Sequence, residues 1–215
     1  MTAPSRQDVP AGGGNGTVET DGRRLRRAVN REAVVDALLD LYSEGNLRPG
    51  TDEIAERAGI SPRSLFRYFE DTDDLAGEAI TRQLARAMPL VGLGIERDAP
   101  FEQRVEALVD QRFRLFEAVG QAAYVSRLRA PFQPRLAATL AETRQFLRQQ
   151  IRSLFDVEFE SMGAERAERA LAAVDVLTAF ESYQLLTADQ CLTVVEAKAV
   201  VSQSLSALLA PPGPR

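Results

Sequence analysis

Arg63 and Arg67 stand four residues apart in a segment, 61–69, that holds two arginines and no acid, inside a chain whose formal net charge is −5. Residues four apart share one face of a helix. An arginine fork on guanine O6 and N7 is the commonest specific reading of a DNA base by a side chain. Hydroxyls stand near them at Ser61, Ser64 and Tyr68, with Thr51 and Thr72 further out on either side. Such groups suit phosphate oxygens, which position a protein on the duplex without reading it. A second basic run, residues 23–31, carries five arginines and no acid. It follows a Gly- and Pro-containing arm, and arms of this kind lie on phosphates or enter the minor groove. The same residues also fit a helical hairpin with a solvated arginine face.

Other chemistries are removed by what the chain lacks. There is no histidine, and Cys191 is the one cysteine. That excludes Ser-His-Asp and Cys-His nucleophiles, His-ligated zinc, an internal disulfide and a cysteine-rich metal site. No catalytic residue, cofactor or metal ligand is therefore expected. No run approaches the roughly 18 apolar residues that span a bilayer, and the N-terminus has no apolar signal core. The expected location is the cytoplasm, away from membranes.

The elements that must position these groups are helices. No strict alternation of apolar and polar residues marks a strand, so the expected fold class is all-α. Residues 1–22 and the tail 211–215 are expected to be disordered. The first helix is predicted over 23–44, with Val34, Val35, Leu38, Leu41 and Tyr42 on one stripe and Gly45 as its stop. Thr51 is placed as the N-cap of a short second helix with Asp52 and Glu53 in its first turn. After the turn Ala58-Gly59-Ile60, Ser61 caps a third helix with Pro62 at its first position, a preferred place for proline. Two short helices joined by a glycine turn make a helix-turn-helix. Leu65 and Phe69 anchor the second of them, leaving Arg63, Ser64, Arg67 and Tyr68 outward. A fourth helix opens at 71–72 and runs to 87. Beyond the 88–100 loop, helices are expected over 101–120, 121–128, 135–155, 163–186 and 192–209.

At this point residues 31–80 resemble the N-terminal domain of the TetR family of bacterial transcriptional regulators. The matches are Thr51, Ile54-Ala55, Ala58-Gly59-Ile60-Ser61, Leu65-Phe66-Arg67-Tyr68-Phe69 and Leu75. Two positions depart from the family pattern: Phe66 stands where a tyrosine is usual, and Thr72 where a lysine is usual. Thr72 also sits in an acidic run, 70–74, which caps a helix but repels phosphate. These departures shift the expected phosphate contacts toward Arg63, Arg67 and residues 23–31.

The resemblance implies a helix-turn-helix domain over 23–87 and an effector-binding and dimerising helical bundle over 88–210. The DNA-binding set is Thr51, Ser61, Pro62, Arg63, Ser64, Phe66, Arg67, Tyr68 and Thr72. An apolar effector pocket would draw on Phe113, Phe116, Tyr124, Phe146, Phe180 and Tyr183, although each ring also fits a plain core. Wide apolar faces on the last two long helices offer a twofold four-helix interface through Leu171, Val174, Val194, Val201, Leu205 and Leu208. A face buried within one chain is the alternative. The expected function is a homodimeric repressor that reads a palindromic operator in double-stranded DNA and responds to an unknown small molecule. The rival is a helical ligand-binding or protein-interaction module that never touches DNA.

Overall fold

The computed structural model describes residues 16–210. Among them every regular element is helical and none is a strand. The N-terminal head consists of α1 (Gly16–Ser43), α2 (Thr51–Arg57), α3 (Pro62–Leu65) and α4 (Thr72–Ala87). The stripe Val34, Val35, Leu38, Leu41 and Tyr42 is buried against Ile54, Leu65, Phe69, Leu75 and Ile80. Gly45 ends α1 at φ 89°, a conformation glycine adopts without a Cβ penalty. Its N–H bonds the Tyr42 carbonyl while Asn46 bonds that of Leu41, both at 3.0 Å, a Schellman closure.

Helix α1 begins at Gly16, inside the segment expected to be a disordered arm. No proline lies between Pro10 and the arginine run, so nothing stops the helical ladder from extending upstream. The early start also moves the arginine run away from the helix N-terminus, where positive charge opposes the macrodipole. The expectations for residues 1–15 and 211–215 lie outside the described residues.

The larger part follows a single-turn helix and a loop. It comprises α5 (Phe101–Arg129), α6 (Pro134–Leu154), α7 (Asp156–Glu160), α8 (Ala164–Leu177), α9 (Phe180–Gln184), a π turn (Leu185–Asp189) and α10 (Val194–Leu209). Helix α5 is two helices merged across Gly120, whose φ 48° and ψ −138° are non-helical. The break falls where the glycine placed it. By contrast, the single helix expected over 163–186 is interrupted at Thr178 and Ala179. Ala179 is extended, and the Thr178 and Ser182 hydroxyls bond the Val174 and Val176 carbonyls around the break. Side-chain bonds of this kind compete with a helical ladder without any glycine or proline signal.

Two cores result. Val105, Leu108, Ile151, Phe155, Leu171, Val174, Ala197, Val201, Leu205 and Leu209 fill the bundle. The head core continues into the bundle through Ala122, Val125, Leu136 and Leu140. Gln83 on α4 donates to the Ala118 carbonyl at 2.5 Å, and Arg129 at the end of α5 pairs with Asp73 at the start of α4. At the far end Arg104, 6% exposed, forks onto Glu158 at 2.5 and 2.9 Å and donates to the Leu154 carbonyl.

Candidate nucleic-acid interface

Each element of the reading face is fixed by a local sequence device. Helix α2 begins from an extended Gly50, which is its N-cap, and Thr51 is the first helical residue. The expected Thr51 cap is thus corrected: the extended backbone that a cap needs falls one residue earlier, where Gly50 makes no side-chain bond. Gly59 turns the chain at φ 67°, a conformation few L side chains tolerate. Ser61 then caps α3 as its sequence implies, its Oγ accepting from the Ser64 N–H at 3.3 Å and lying 2.9 Å from the Ser64 hydroxyl. Pro62 occupies the first turn.

The regular part of the reading helix is shorter than the expected 61–69. It closes at Leu65, and residues 66–68 continue as a tight turn in which Arg67 and Tyr68 N–H groups reach back three residues, to Ser64 and Leu65. The aromatic run Phe66, Tyr68, Phe69 has weak helix propensity, which favours that tightening. Leu65 and Phe69 are buried, as their spacing requires. Arg63 and Arg67 are exposed, Phe66 is 52% exposed, and Ser64 and Thr51 are half-buried.

Tyr68 departs from expectation. Its ring is buried against the head core, and its hydroxyl accepts from Asn30 Nδ2 at 3.1 Å and Arg67 Nη2 at 3.2 Å. It therefore positions the face from behind instead of standing out from it. Those two donors hold the phenol pKa below its ordinary value, Asn30 contributing most. Thr72 is the half-buried first residue of α4, which is capped by Asp71; the Asp71 carboxylate accepts from the Asp73 and Asp74 N–H groups at 2.8 Å.

Charge pairing separates the arginines of the head into two sets. Arg31 pairs with Glu78, Arg57 with Glu44, and Arg82 and Arg86 with Asp36. Among the described residues no carboxylate pairs with Arg63 or Arg67. Arg27 donates to the Arg67 carbonyl at 3.3 Å, bringing part of the first basic run to this face. Arg31, counted with that run in the sequence, is instead spent on Glu78 and on the Phe69 ring, 4.9 Å from its guanidinium.

Behind the head, the bundle holds a cavity of about 300 Å³. Of the six ring candidates, Phe116, Phe146 and Phe180 line it, while Phe113 and Tyr183 pack behind as core. Tyr124 is 39% exposed and away from the cavity. Ala123, Ser126 and Arg127, at helical spacing from Phe116 and Val119, face inward in its place. Leu84 and Ala87 of α4, with Met88 just after it, form part of the wall. Glu181, at the wall, accepts from Arg127 at 2.7 Å and Arg144 at 2.6 Å. Burial pushes its pKa up, but the bonds from Arg127 and the nearby Arg144 charge more than offset that and leave it below the usual carboxylate value.

Sequence reasoning missed Arg112, which lines the cavity and is 1% exposed. Its signal was present: Leu108, Arg112 and Phe116 are spaced by four, placing an arginine on an apolar stripe.

Four of the six dimer candidates need correction. Leu171, Val174, Val201 and Leu205 are fully buried within the protomer, where α8 and α10 pack on α5 and α6, and Val194 and Leu208 are half-buried. The large apolar side chains those two helices leave outside are Val176, Val195 and Val200.

Residues 34–79 match the model of a family described as bacterial regulatory proteins, tetR family. The chain is 34% identical over 70 residues to an uncharacterized HTH-type transcriptional regulator of Mycobacterium tuberculosis strain H37Rv, covering 31% of this chain and 30% of that protein. It therefore spans about a third of the length of that relative. It is 28% identical over 155 residues to the HTH-type transcriptional regulator BetI of Escherichia coli, covering 69% of this chain and 79% of BetI. In fold it is similar to a tetR-family transcriptional regulator from Streptomyces coelicolor, with a TM-score of 0.65, 21% identity, and 83% and 79% of the two chains covered. A transcriptional regulator from Rhodococcus gives a TM-score of 0.64 at 18% identity, covering 83% and 95%.

Proposed function

We propose that this chain, whose residues 34–79 match the model of the tetR family of bacterial regulatory proteins, is a sequence-specific DNA-binding transcriptional regulator. In this reading it is a homodimeric repressor on a palindromic operator, controlled by a small molecule in the C-terminal cavity, and catalysis plays no part.

The observation that carries the reading is the pairing of charges in the head. A merely solvated arginine face has no reason to exclude carboxylates, yet Arg31, Arg57, Arg82 and Arg86 find acidic partners while, among the described residues, Arg63 and Arg67 do not. Arg63 and Arg67 carry base readout. Ser64, Thr51 and the N-terminal turn of α2 carry phosphate positioning, together with Arg27. Phe66 offers an apolar contact of the kind a thymine methyl accepts. Tyr68 orients Arg67, and Thr72 stands at the edge of the face.

Control follows from the shared wall. Helix α4 leaves the reading unit and ends on the cavity through Leu84 and Ala87, with Met88 following. A ligand that fits better when α4 is displaced shifts the head away from the operator-binding arrangement, by no more than its differential affinity for the two states. Val176, Val195 and Val200 form part of the surface that a second copy covers.

The test is titration of purified protein against the duplex upstream of its own gene and against a scrambled duplex, over a series of salt concentrations. Tight binding to the native sequence that weakens steeply with salt is expected. Equal, weak binding to both, repeated in a selection from random duplexes, would overturn the reading.

A further inference from the structure

Arg112 is the largest side chain in the molecule with almost no exposure, and it stands on the wall of an otherwise mostly apolar cavity. All its acceptors are neutral. Nη1 donates to Gln111 Oε1 and, at 3.0 Å, to Gln150 Oε1, and Nη2 donates to the Leu147 carbonyl at 2.9 Å. Its Nε is buried with no partner. The acids on the same wall are committed elsewhere or exposed. Asp175 accepts from Arg148 at 3.2 Å, Glu181 from Arg127 and Arg144, and Glu142 is exposed. A buried charge without a counter-ion is costly, and the cost is relieved by an anion that brings its own charge to the guanidinium. Burial pushes the Arg112 pKa down to about 10, with Asp175 only partly offsetting it. The group nonetheless remains cationic at neutral pH.

We propose that the cavity takes a small amphipathic anion, a monocarboxylate with an aliphatic or single-ring apolar body, whose carboxylate pairs with Arg112. The volume, about 300 Å³, lies at the low end for ligand pockets and suits such a molecule better than a nucleotide-sized one. Leu84, Val91, Leu115, Phe116, Leu140 and Phe180 take the apolar body. The charge also has a route to α4. Gln111 and Gln150, which Arg112 holds by their Oε1 atoms, donate to the Val91 carbonyl at 3.2 and 2.9 Å, and Gln111 donates to that of Leu90 at 2.9 Å. A carboxylate that draws the guanidinium away from these amides loosens the turn just after α4. The proposal rests on the reading of the cavity as the effector site.

The experiment pairs each acid with its neutral isostere: octanoate with octanamide, and 4-phenylbutyrate with 4-phenylbutanamide. Binding to the full chain is measured by calorimetry at neutral pH. At least one acid is expected to bind about tenfold or more tightly than its amide, the scale of a hydrogen bond to a charged group. Arg112→Met is expected to abolish that preference, and Arg112→Lys to keep part of it. Equal binding of acid and amide, or no binding of either acid at millimolar concentration, overturns the proposal. So does an acid preference that survives Arg112→Met. Should Arg112→Met fail to fold, the wild-type comparison and the lysine variant still decide. Operator titrations with each acid separate the two readings: an acid that binds through Arg112 but leaves operator affinity unchanged supports the anion site and overturns effector control.

Discussion

Arg63 and Arg67 are not equivalent, and the difference can be given a magnitude. Arg63 is exposed and makes no contact that must be surrendered on binding DNA. Arg67 stacks over the Tyr68 ring at 5.5 Å and donates to its hydroxyl at 3.2 Å. An exposed cation–π contact is worth about 0.5–1 kcal/mol and a net hydrogen bond about as much. Part of that is lost whenever Arg67 swings out, so its net contribution to binding falls by about 1 kcal/mol relative to Arg63. That is about fivefold in affinity per half-site. If both read bases at up to about 3 kcal/mol each, Arg63→Ala weakens operator binding about fivefold more per half-site than Arg67→Ala. Salt dependence separates base from phosphate contact. A homodimer loses two charges per substitution, so a phosphate contact lowers the log–log salt slope by about 1.8 and weakens all sequences alike. A base contact relaxes preference at one position in each half-site. Fluorescence anisotropy with the operator and its single-base variants, at several salt concentrations, reads both quantities. The reasoning is refuted if Arg67→Ala costs more than Arg63→Ala, or if neither changes affinity.

Tyr68→Phe removes the hydroxyl that accepts from Asn30 and Arg67. It should cost about 1 kcal/mol in urea denaturation while changing operator affinity less than about fivefold, whereas a direct phosphate contact would show the reverse. Gly120→Ala meets no steric obstacle but forces a Cβ onto φ 48°, and should lower stability by about 1–3 kcal/mol in thermal unfolding. Glu158→Ala leaves Arg104 buried with only carbonyl acceptors and should cost about 3–5 kcal/mol; a loss below about 1 kcal/mol would mean the pair is not sealed from water. The Glu181 carboxyl has a folded pKa below its ordinary value, so its contribution is complete above that value and is lost as acid protonates the folded group. Wild-type stability should therefore fall more than that of Glu181→Gln on strong acidification.

Sequence alone located the reading unit because its signals are local and redundant. Gly45, Gly59, Ser61 and Pro62 each punctuate the chain by a backbone requirement, and Leu65 and Phe69 fix which way the short helix rolls. Gly120 likewise marked the break inside α5. Tyr68 was misplaced because a tyrosine directly after Arg67, off the Leu65 and Phe69 stripe, looks outward by spacing. Its orientation is decided by Asn30 and the core of α1, distant in sequence. The break at Thr178 and Ala179 carries no glycine or proline, and it is what turns Phe180 into the cavity, edge-on to Phe116 at 5.6 Å. The faces of α8 and α10 were legible as apolar, but periodicity cannot tell a partner copy from a neighbouring helix. The protomer itself claims Leu171, Val174, Val201 and Leu205.

The acidic run 70–74 shows how charge read along a chain misleads about charge in space. In sequence it stands beside the reading helix as a repulsive patch. In the fold three of its four carboxylates, all but that of Glu70, are engaged within the protein. Asp71 caps α4, Asp74 accepts from the Glu70 N–H at 3.2 Å, and Asp73 pairs with Arg129. Arg129 lies at the end of α5, beyond the Gly120 break and past the cavity residues Ala123, Ser126 and Arg127. The run is thus a joint between head and bundle more than a barrier to DNA. A shift in the last turns of α5 moves the start of α4 through Asp73, while a shift at Val91 moves its end. Both ends of α4 are therefore tied to elements that wall one cavity, which is the linkage that the proposed effector control requires.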